Sequence, residues 1–380
     1  MDLVLTEDQE LIAKTAADFV KRRSPIARVR ELRDSNDATG FSRALWREMA
    51  ELGWLGIAFP ESVGGAGLGF AELVVVLEEL GRTLAPEPFL STVLLAGQAL
   101  LLSGDTAKHD AWLPRVCKGE AILALAQQEA RSRYDLASVE TRAERTGAGF
   151  RIRGEKIQVL DGHVADAFVV VARTSGGLRE ANGLTLFLVP KGAAGLTVTR
   201  QTRLDGRNAA LLRLEGVSVA ADAAVGAVDG GHELLARAVD RATLGLCAEM
   251  LGGMQQAFAL TVEHLKSRMQ FGVPIGSFQA LKHRAANVFI ELELAKSGVM
   301  GTARALDAGD SDLGRLVSLS KARCSDAYVL AANEGVQMFG GVGMTDEYDI
   351  GFYMKRARAA ELTFGDAAFH RARWASLSGY

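Results

Sequence analysis

The sequence predicts an α+β protein in which a helical N-terminal domain is followed by a β domain and then by a bundle of four helices. Three observations support this order. Apolar residues recur at helical spacing over roughly the first 120 residues, short β-branched runs fill the next 110 or so, and four long amphipathic stretches follow. The predicted domains are therefore 1–120, 121–230 and 231–380.

In the N-terminal domain, the glycine-rich segment 64–67 predicts a loop before a helix over 72–81, and Pro86 and Pro88 break the chain again. The apolar positions that define two earlier helical faces are Leu11, Ala16, Phe19 and Val20 for the first, and Leu45, Met49, Leu52, Trp54 and Leu55 for the second.

Glycine and asparagine turns separate the β-branched runs of the middle domain, so antiparallel strands are expected. These runs are Ala148–Arg153, Phe168–Ala172, Thr185–Val189, Leu196–Arg200 and Ala210–Leu214. The long helices of the last domain are predicted at His232–Met269, Phe278–Gly309, Asp312–Gly340 and Tyr348–Leu362. Their short connections indicate an antiparallel bundle.

Composition excludes several classes of function. The formal net charge of −3 does not provide the basic face that a nucleic-acid-binding protein needs. No apolar run is long enough for a membrane span, and the N-terminus lacks the basic start and apolar core of a signal peptide, so a cytoplasmic protein is expected. Cys117, Cys247 and Cys324 show no metal-ligand spacing, which predicts buried free thiols and no metal site.

The segment 268–282, RMQFGVPIGSFQALK, is the most informative stretch of the chain. Arg268 and Phe271 are three residues apart on a predicted last helical turn and should share one face. Gly272 and Pro274 end that helix, and a new one is expected near Ser277. A cation beside an aromatic ring can contact a phosphate and a planar ring system.

A second motif, QMFGGVG, runs from Gln337 to Gly343. Its paired glycines, Gly340 and Gly341, allow the backbone to approach a ligand closely, and Gln337 offers a side-chain amide.

Together these motifs resemble the acyl-CoA dehydrogenase patterns R-x-x-F-G-x-P-I-G-x-F-Q and Q-x-x-G-G-x-G. The segment 46–67, and the order of helical, β and helical domains, are similar to that family over essentially the whole chain. The resemblance implies that FAD and an acyl-CoA thioester bind, that a carboxylate removes the α-proton, and that hydride passes from the β-carbon to the flavin, giving a trans-2-enoyl thioester.

The resemblance also implies an FAD site built from two chains, and therefore a homo-oligomer or an α2β2 hetero-oligomer that passes electrons to an electron-transfer flavoprotein. The positions matching the family's FAD contacts are Arg268, Phe271, Gln279, Gln337, Gly340, Gly341 and, in the middle domain, Gln128.

The chain departs from the family at the catalytic base. When Gly365 is aligned with the glycine of the family's loop, Phe364 stands where the usual glutamate should be. Ala242 occupies the alternative position for the base, near the start of the predicted helix that ends at Arg268. Phenylalanine cannot accept a proton, although the Phe364 backbone N–H can still serve the thioester carbonyl.

Three carboxylates are candidates for the missing base. Glu249 lies in an otherwise apolar helical stretch, where burial would raise its pKa; alternatively it pairs with an arginine or the backbone at a helix contact. Asp366 adjoins the substituted position but also precedes a final helix as its N-cap. Glu361 lies one turn earlier and fits a solvated or ion-paired face.

Two other hypotheses remain open. The chain resembles subunits of heteromeric dehydrogenases for bulky steroid or dicarboxylic thioesters, in which one subunit often lacks the glutamate and completes the FAD site of its partner. A flavin monooxygenase on the same fold would also need little α-proton base.

The middle domain departs as well. The family's T-E-P-x-A-G-S-D is here 128–135, QEARSRYD, so Arg131 and Arg133 are new and either contact phosphates or are solvated. Lys156 begins the segment in which the family has a tryptophan beside the flavin, and Ile157 replaces that tryptophan.

Overall fold

A computed structural model describes residues 4–380, so the first three residues of the predicted N-terminal domain lie outside it. The chain divides into two compact units. The helical unit comprises Met1–Ser35, Gly69–Ala85 and Thr243–Tyr380, and the β unit comprises Asn36–Leu68 and Pro86–Ala242. Residues of the predicted domain 1–120 contribute to both units, and the boundaries at 120 and 230 stay a prediction.

Eleven α-helices and ten strands form within residues 4–380. The helices are α1 (Glu7–Arg23), α2 (Ile26–Asp34), α3 (Arg43–Glu51), α4 (Phe70–Arg82), α5 (Gln98–Leu102), α6 (Thr106–Cys117), α7 (Gly231–Ser267), α8 (Gln279–Asp307), α9 (Leu313–Phe339), α10 (Ile350–Leu362) and α11 (Ala367–Leu377). The strands are β1 (Leu123–Ala126), β2 (Arg142–Thr146), β3 (Gly149–Leu160), β4 (Ala167–Arg173), β5 (Leu184–Pro190), β6 (Leu196–Thr202), β7 (Asn208–Ala220), β8 (Ala224–Val225), β9 (Met269–Gln270) and β10 (Val273–Pro274).

The predicted order of helices, strands and helices is confirmed. The four long C-terminal helices correspond to α7, α8, α9 and α10, each within a few residues of its predicted bounds. In the β unit, a π-helical stretch, Phe89–Gly97, follows the two prolines. All three cysteines are buried and free, as predicted. No helix in the described part of the chain is both long and apolar enough to cross a membrane.

Eight strands of the β unit form one sheet, in the order β6–β7–β3–β2–β4–β5–β8, with β1 beside β4. The expectation of purely antiparallel strands was wrong, because β1 pairs with β4 in parallel, from Leu123 with Ala167 to Ala126 with Val170. The hairpin of β2 and β3 lies between these strands in the sequence and allows the crossover. Strand β1 is fully buried and short, so it carries no alternating pattern to reveal it.

Side chains satisfy the N–H groups at the start of α1 and α4 in the helical unit. Thr6 and Gln9 form a reciprocal capping box at the start of α1. The carboxylate of Asp307, at the end of α8, accepts the N–H groups of Phe70 and Ala71 at 2.7 and 2.9 Å and so caps α4.

Helices α4 and α7 cross backbone against backbone at two glycines. A methyl group on Gly81 would lie 2.2 Å from the carbonyl oxygen of Glu249, and one on Gly252 would lie 1.8 Å from that of Glu78. Side chains at either position would force the helices apart, so this crossing fixes the separation of α4 and α7.

The glycine crossing predicts that Gly252→Ala lowers the free energy of unfolding by more than about 2 kcal/mol, because the new methyl group meets rigid backbone. Gly351→Ala in α10 is the matched control, since no atom lies within 4 Å of its added methyl group. It should raise stability by up to about 1 kcal/mol. Urea unfolding measures the free energy of unfolding of both variants. Equal changes in the two would contradict the close backbone contact at Gly252.

Candidate functional site

A two-residue hairpin follows α7 and carries the first motif. Strands β9 and β10 pair Gln270 with Val273 and Met269 with Pro274. Phe271 and Gly272 form the turn with φ values of 52° and 78°. Such a turn needs positive φ at both central residues, which costs a phenylalanine roughly 1–2 kcal/mol.

The prediction that Arg268 and Phe271 share a helical face was therefore wrong. Helix α7 ends at Ser267. Its last helical hydrogen bond runs from the Arg268 N–H to the His264 carbonyl at 2.9 Å. Phe271 projects from the hairpin tip with 91% of its surface exposed. An aromatic ring held in a strained, exposed turn is suited to contact a ligand or another chain.

The second motif ends α9. Gly340 adopts φ 69° and ψ −149°, a region open essentially to glycine alone. Gly341 has no such backbone requirement, and no atom lies within 4 Å of a methyl group built on it. Neither local conformation nor packing within the chain requires glycine there, which fits close approach by a bound group.

An aromatic stack brings the two motifs together. The His264 ring, one turn before Arg268, stacks on Phe339 at 4.1 Å, and Phe339 meets Tyr348 edge-on at 5.4 Å. Burial and the neighbouring Arg268 guanidinium lower the pKa of His264. The stack was not predicted from the sequence, although Phe339 lies inside the second motif.

The remaining polar residues of both motifs are exposed. Gln279 is the first residue of α8, where no side chain caps the helix, and Gln337 lies in the last turn of α9. The expected new helix after Ser277 is confirmed, with a 3₁₀ turn preceding it.

The loop between α10 and α11 is held by two buried side chains. The Lys321 ammonium of α9 donates to the carbonyls of Gly365 (2.7 Å) and Glu361 (2.9 Å), and to Ser325 Oγ at 3.2 Å. The His370 ring of α11 lies 3.2 Å from the Phe364 carbonyl through Nε2. Burial and the nearby ammonium lower the pKa of His370 to about 3, so the ring is neutral and donates its Nε2–H.

Phe364, within this loop, adopts φ 61° and is half-buried. Its backbone N–H has no hydrogen-bond acceptor among residues 4–380. A free donor on a strained and doubly anchored residue is suited to bind a carbonyl oxygen that gains negative charge.

The three candidate carboxylates lie in different settings. Asp366 caps α11, accepting the Phe369 N–H at 2.8 Å, so the predicted capping role is confirmed. Glu361 pairs with Arg358 on the surface of α10. Glu249 is half-buried at the crossing of α7 with α4.

In the β unit, Gln128 is half-buried, and its carbonyl accepts the Ile157 N–H at 2.9 Å. Next to it, the Glu129 carboxylate accepts the Lys156 ammonium at 2.6 Å and the Thr141 N–H at 3.0 Å. Burial alone would raise the pKa of Glu129, but the Lys156 charge and these hydrogen bonds hold it below its usual range. Both side chains are buried, so this ion pair anchors the segment that carries Gln128.

The two new arginines of this segment are not buried. Arg131 lies 4.0 Å from Glu140 with its side chain 84% exposed. The Arg133 guanidinium lies 5.8 Å from the Tyr134 ring centroid. Where the family has a tryptophan, β3 has an irregularity between Lys156 and Val159.

Profiles of known families match nearly the whole chain. The acyl-CoA dehydrogenase N-terminal domain matches residues 6–120, the middle domain 124–217 and the C-terminal domain 229–376. The chain belongs to the acyl-CoA dehydrogenase family. Members are FAD flavoproteins that oxidise CH–CH groups of acyl-CoA thioesters, and this is the activity in which the chain takes part.

Individual acyl-CoA dehydrogenases align along most of their lengths. IpdE2 of Mycobacterium tuberculosis is 32% identical over 93% of this chain and 92% of that protein. Mitochondrial isovaleryl-CoA dehydrogenase of Pongo abelii is 29% identical over 97% and 88%. A chain in the crystal structure of the ChsE4–ChsE5 complex from M. tuberculosis is 30% identical, with a TM-score of 0.89 over 100% of this chain and 99% of that one.

The buried ion pair predicts that Glu129→Ala lowers the free energy of unfolding by about 3–5 kcal/mol, because it leaves the Lys156 charge buried without a partner. Folding lowers the Glu129 pKa, so its contribution is complete near neutral pH and lost in acid as the carboxylate becomes protonated. Denaturant unfolding at pH 7 measures the loss. Glu263→Ala, which breaks an exposed pair with Lys266, is the control and should leave stability unchanged; an equal loss in both variants would contradict the prediction.

Proposed function

We propose that this chain is a subunit of a heteromeric, FAD-dependent acyl-CoA dehydrogenase, in which an unlike subunit supplies the catalytic carboxylate. This proposal rests on the loop that contains Phe364. It keeps a free, anchored N–H for the thioester carbonyl but has phenylalanine where the family's base stands. Ala242, at the alternative position, is buried and equally unable to accept a proton.

The Phe364 N–H belongs to the backbone and is therefore independent of the side chain. In the proposed reaction it donates to the thioester oxygen as negative charge develops during loss of the α-proton. Bound FAD would supply the acceptor for the hydride that leaves the β-carbon. Reoxidation of the flavin by an electron-transfer flavoprotein is part of the proposal.

The FAD contacts proposed for this chain are Arg268 for the pyrophosphate, Phe271 for the adenine, and Gln279, Gln337, Gly340, Gly341 and Gln128 as supporting positions. Three observations fit this assignment: the exposed strained ring of Phe271, the unexplained glycine at 341, and the proximity of Arg268 to the aromatic stack.

An oligomer is supported by the apolar surface of the helical unit. Seven large apolar side chains of α8, α9 and the hairpin are at least 38% exposed. They are Met269, Phe271, Val273, Phe289, Ile290, Leu294 and Leu319. Exposed apolar residues in this number are typical of a surface covered by another chain. The similarity to a chain of the ChsE4–ChsE5 complex supports an unlike partner.

A second candidate is a homomeric enzyme that uses Glu249 as its base. It is favoured by the position of this half-buried carboxylate in an otherwise buried stretch of α7. The helical period argues against it: Cys247 lies near Lys321 and hence the loop, and Glu249 is two residues further, about 200° around the helix. Its side chain therefore leaves α7 on the side away from Phe364.

The FAD assignment predicts that Gly341→Ala reduces the flavin bound per chain at least several-fold, because the methyl group occupies space that the ligand needs. Stability of the flavin-free protein should not change, since no atom of the chain lies within 4 Å of that group. Absorbance after desalting gives the flavin content and thermal melting the stability. Gly192→Ala, equally open, is the control; full flavin retention in Gly341→Ala would remove this segment from the site.

The heteromer proposal predicts that the tagged chain, purified from its natural host, carries an unlike acyl-CoA dehydrogenase subunit in equal number by native mass spectrometry. The lone chain should turn over acyl-CoA substrates at least 100-fold more slowly than the complex. A flavin-loaded homo-oligomer with ready turnover would contradict this.

Glu249→Gln then distinguishes the two candidates. In the homomeric case it abolishes turnover by the lone chain, whereas in the heteromeric case it leaves the rate of the complex intact. Glu263→Gln, an exposed change on the same helix, is the control.

A further inference from the structure

A buried lysine that the proposed reaction does not use lies beneath the Phe364 loop. Lys321 is completely inaccessible to solvent. All three of its ammonium protons have acceptors, two of which are backbone carbonyls at the end of α10 and within the loop. A fully buried ammonium with no carboxylate hydrogen-bonded to it is costly to maintain, which calls for a role.

We propose that Lys321 is a positioning residue, which holds the loop 363–366 so that the Phe364 N–H points at the carbonyl oxygen of a bound thioester. This inference rests on the proposed function and extends it to a residue that does not touch the substrate.

The loop geometry requires such support. Phe364 has φ 61°, which is unfavourable for any residue with a Cβ. Lys321 fixes the carbonyl of Gly365, and His370 fixes that of Phe364. These two contacts hold the peptide groups that follow Phe364, and Thr363, whose Oγ1 donates to the Ala359 carbonyl, holds the chain that precedes it. The peptide group that carries the Phe364 N–H is therefore restrained from both sides.

The inner side of the loop is tightly packed at Gly365. A methyl group on Gly365 would lie 2.4 Å from the Phe369 ring and 2.7 Å from His370 Nε2. Thr363 Oγ1 donates to the Ala359 carbonyl at 2.8 Å and ties the loop to α10. Lys321 is thus the cationic member of a set of contacts that all act on the four residues 363–366.

The surroundings of the ammonium determine its response to pH. The titratable groups that face it are Cys247 on α7, Cys324 on α9, Glu361 on α10, and Asp366 and His370 at the start of α11. Burial outweighs the nearby Glu361 and Asp366 charges and lowers the pKa of Lys321 to about 8. The neutral amine formed above this pH keeps only two donors and loses its charge.

Stability and function therefore respond to alkali in opposite directions at this residue. The pKa of Lys321 is lower in the folded than in the unfolded protein, so between about pH 8 and its ordinary value of 10.5 the unfolded state binds more protons. The contribution of Lys321 to stability consequently rises over that window. Positioning of the loop weakens over the same window, which separates the proposed role from simple structural support.

The test compares two ligands by calorimetry on the flavin-loaded protein, with its partner subunit if one co-purifies. One ligand is an acyl-CoA thioester, and the other is the S-alkyl-CoA thioether of equal chain length, which lacks the carbonyl. The wild type should bind the thioester at least tenfold more tightly. Lys321→Met should reduce that preference to below threefold while leaving thioether affinity within twofold.

Ser325→Ala is the control variant, because it removes one acceptor of Lys321 but leaves both backbone contacts, and it should retain the wild-type preference. A preference in Lys321→Met equal to that of the wild type would overturn the proposal. A wild type with no preference would instead contradict the proposed use of the Phe364 N–H, and therefore the function on which this inference rests.

A second measurement needs no variant. In the wild type, the ratio of thioester to thioether affinity should fall at least threefold between pH 7 and pH 9.5, with a midpoint near 8. Titration of the coenzyme's own groups cancels in the ratio. A constant ratio over this range, with the protein still folded by circular dichroism, would overturn the role of the ammonium.

Discussion

The hydrogen bonds from the Lys321 ammonium to the backbone carbonyls of Glu361 and Gly365 are the interaction on which the candidate site depends. They connect α9 to the end of α10 and to the loop before α11, and they oppose the conformational cost of the positive φ at Phe364. The glycine crossing of α4 and α7 sets the helix spacing within the same unit. The free N–H of Phe364 is the result of this arrangement.

In the proposed function, the loop lets a chain without the catalytic side chain still take part in the reaction. A carbonyl-binding donor supplied by the backbone survives substitution of the side chain, provided that the backbone is held in place. Proton removal, in contrast, depends entirely on the side chain. Phe364 separates these two contributions, and an unlike subunit that carries the base is the simplest way to restore the second.

The long helices and their order could be predicted because apolar periodicity over several helical turns averages out local exceptions. The hairpin at Phe271 could not, because the stretch before Gly272 reads as a continuing helix and a positive φ on phenylalanine leaves no trace in the sequence. The parallel pairing of β1 was missed for a related reason: four buried residues show neither alternation nor a turn signal.

The candidate site likewise has residues that could be predicted from the sequence and one that could not. The motifs around Arg268 and Gly340 could be recognised from residue types alone, and so could the capping role of Asp366, because a short acidic residue before a helix has a well-defined local function. Lys321 could not be singled out, since a lysine among Ser320 and Ala322 reads as an exposed helical position. Only the packing of α10 and α11 shows that it is buried.

Isotope-edited infrared spectroscopy tests whether the Phe364 N–H binds the thioester carbonyl. The C=O stretch of an acyl-CoA labelled with ¹³C at the thioester carbon would be recorded free and bound to the flavin-loaded protein. The bound carbonyl should absorb at lower frequency than the free thioester in an apolar solvent, because a hydrogen bond weakens the C=O bond. A bound carbonyl at the frequency of the free thioester in an apolar solvent would contradict it.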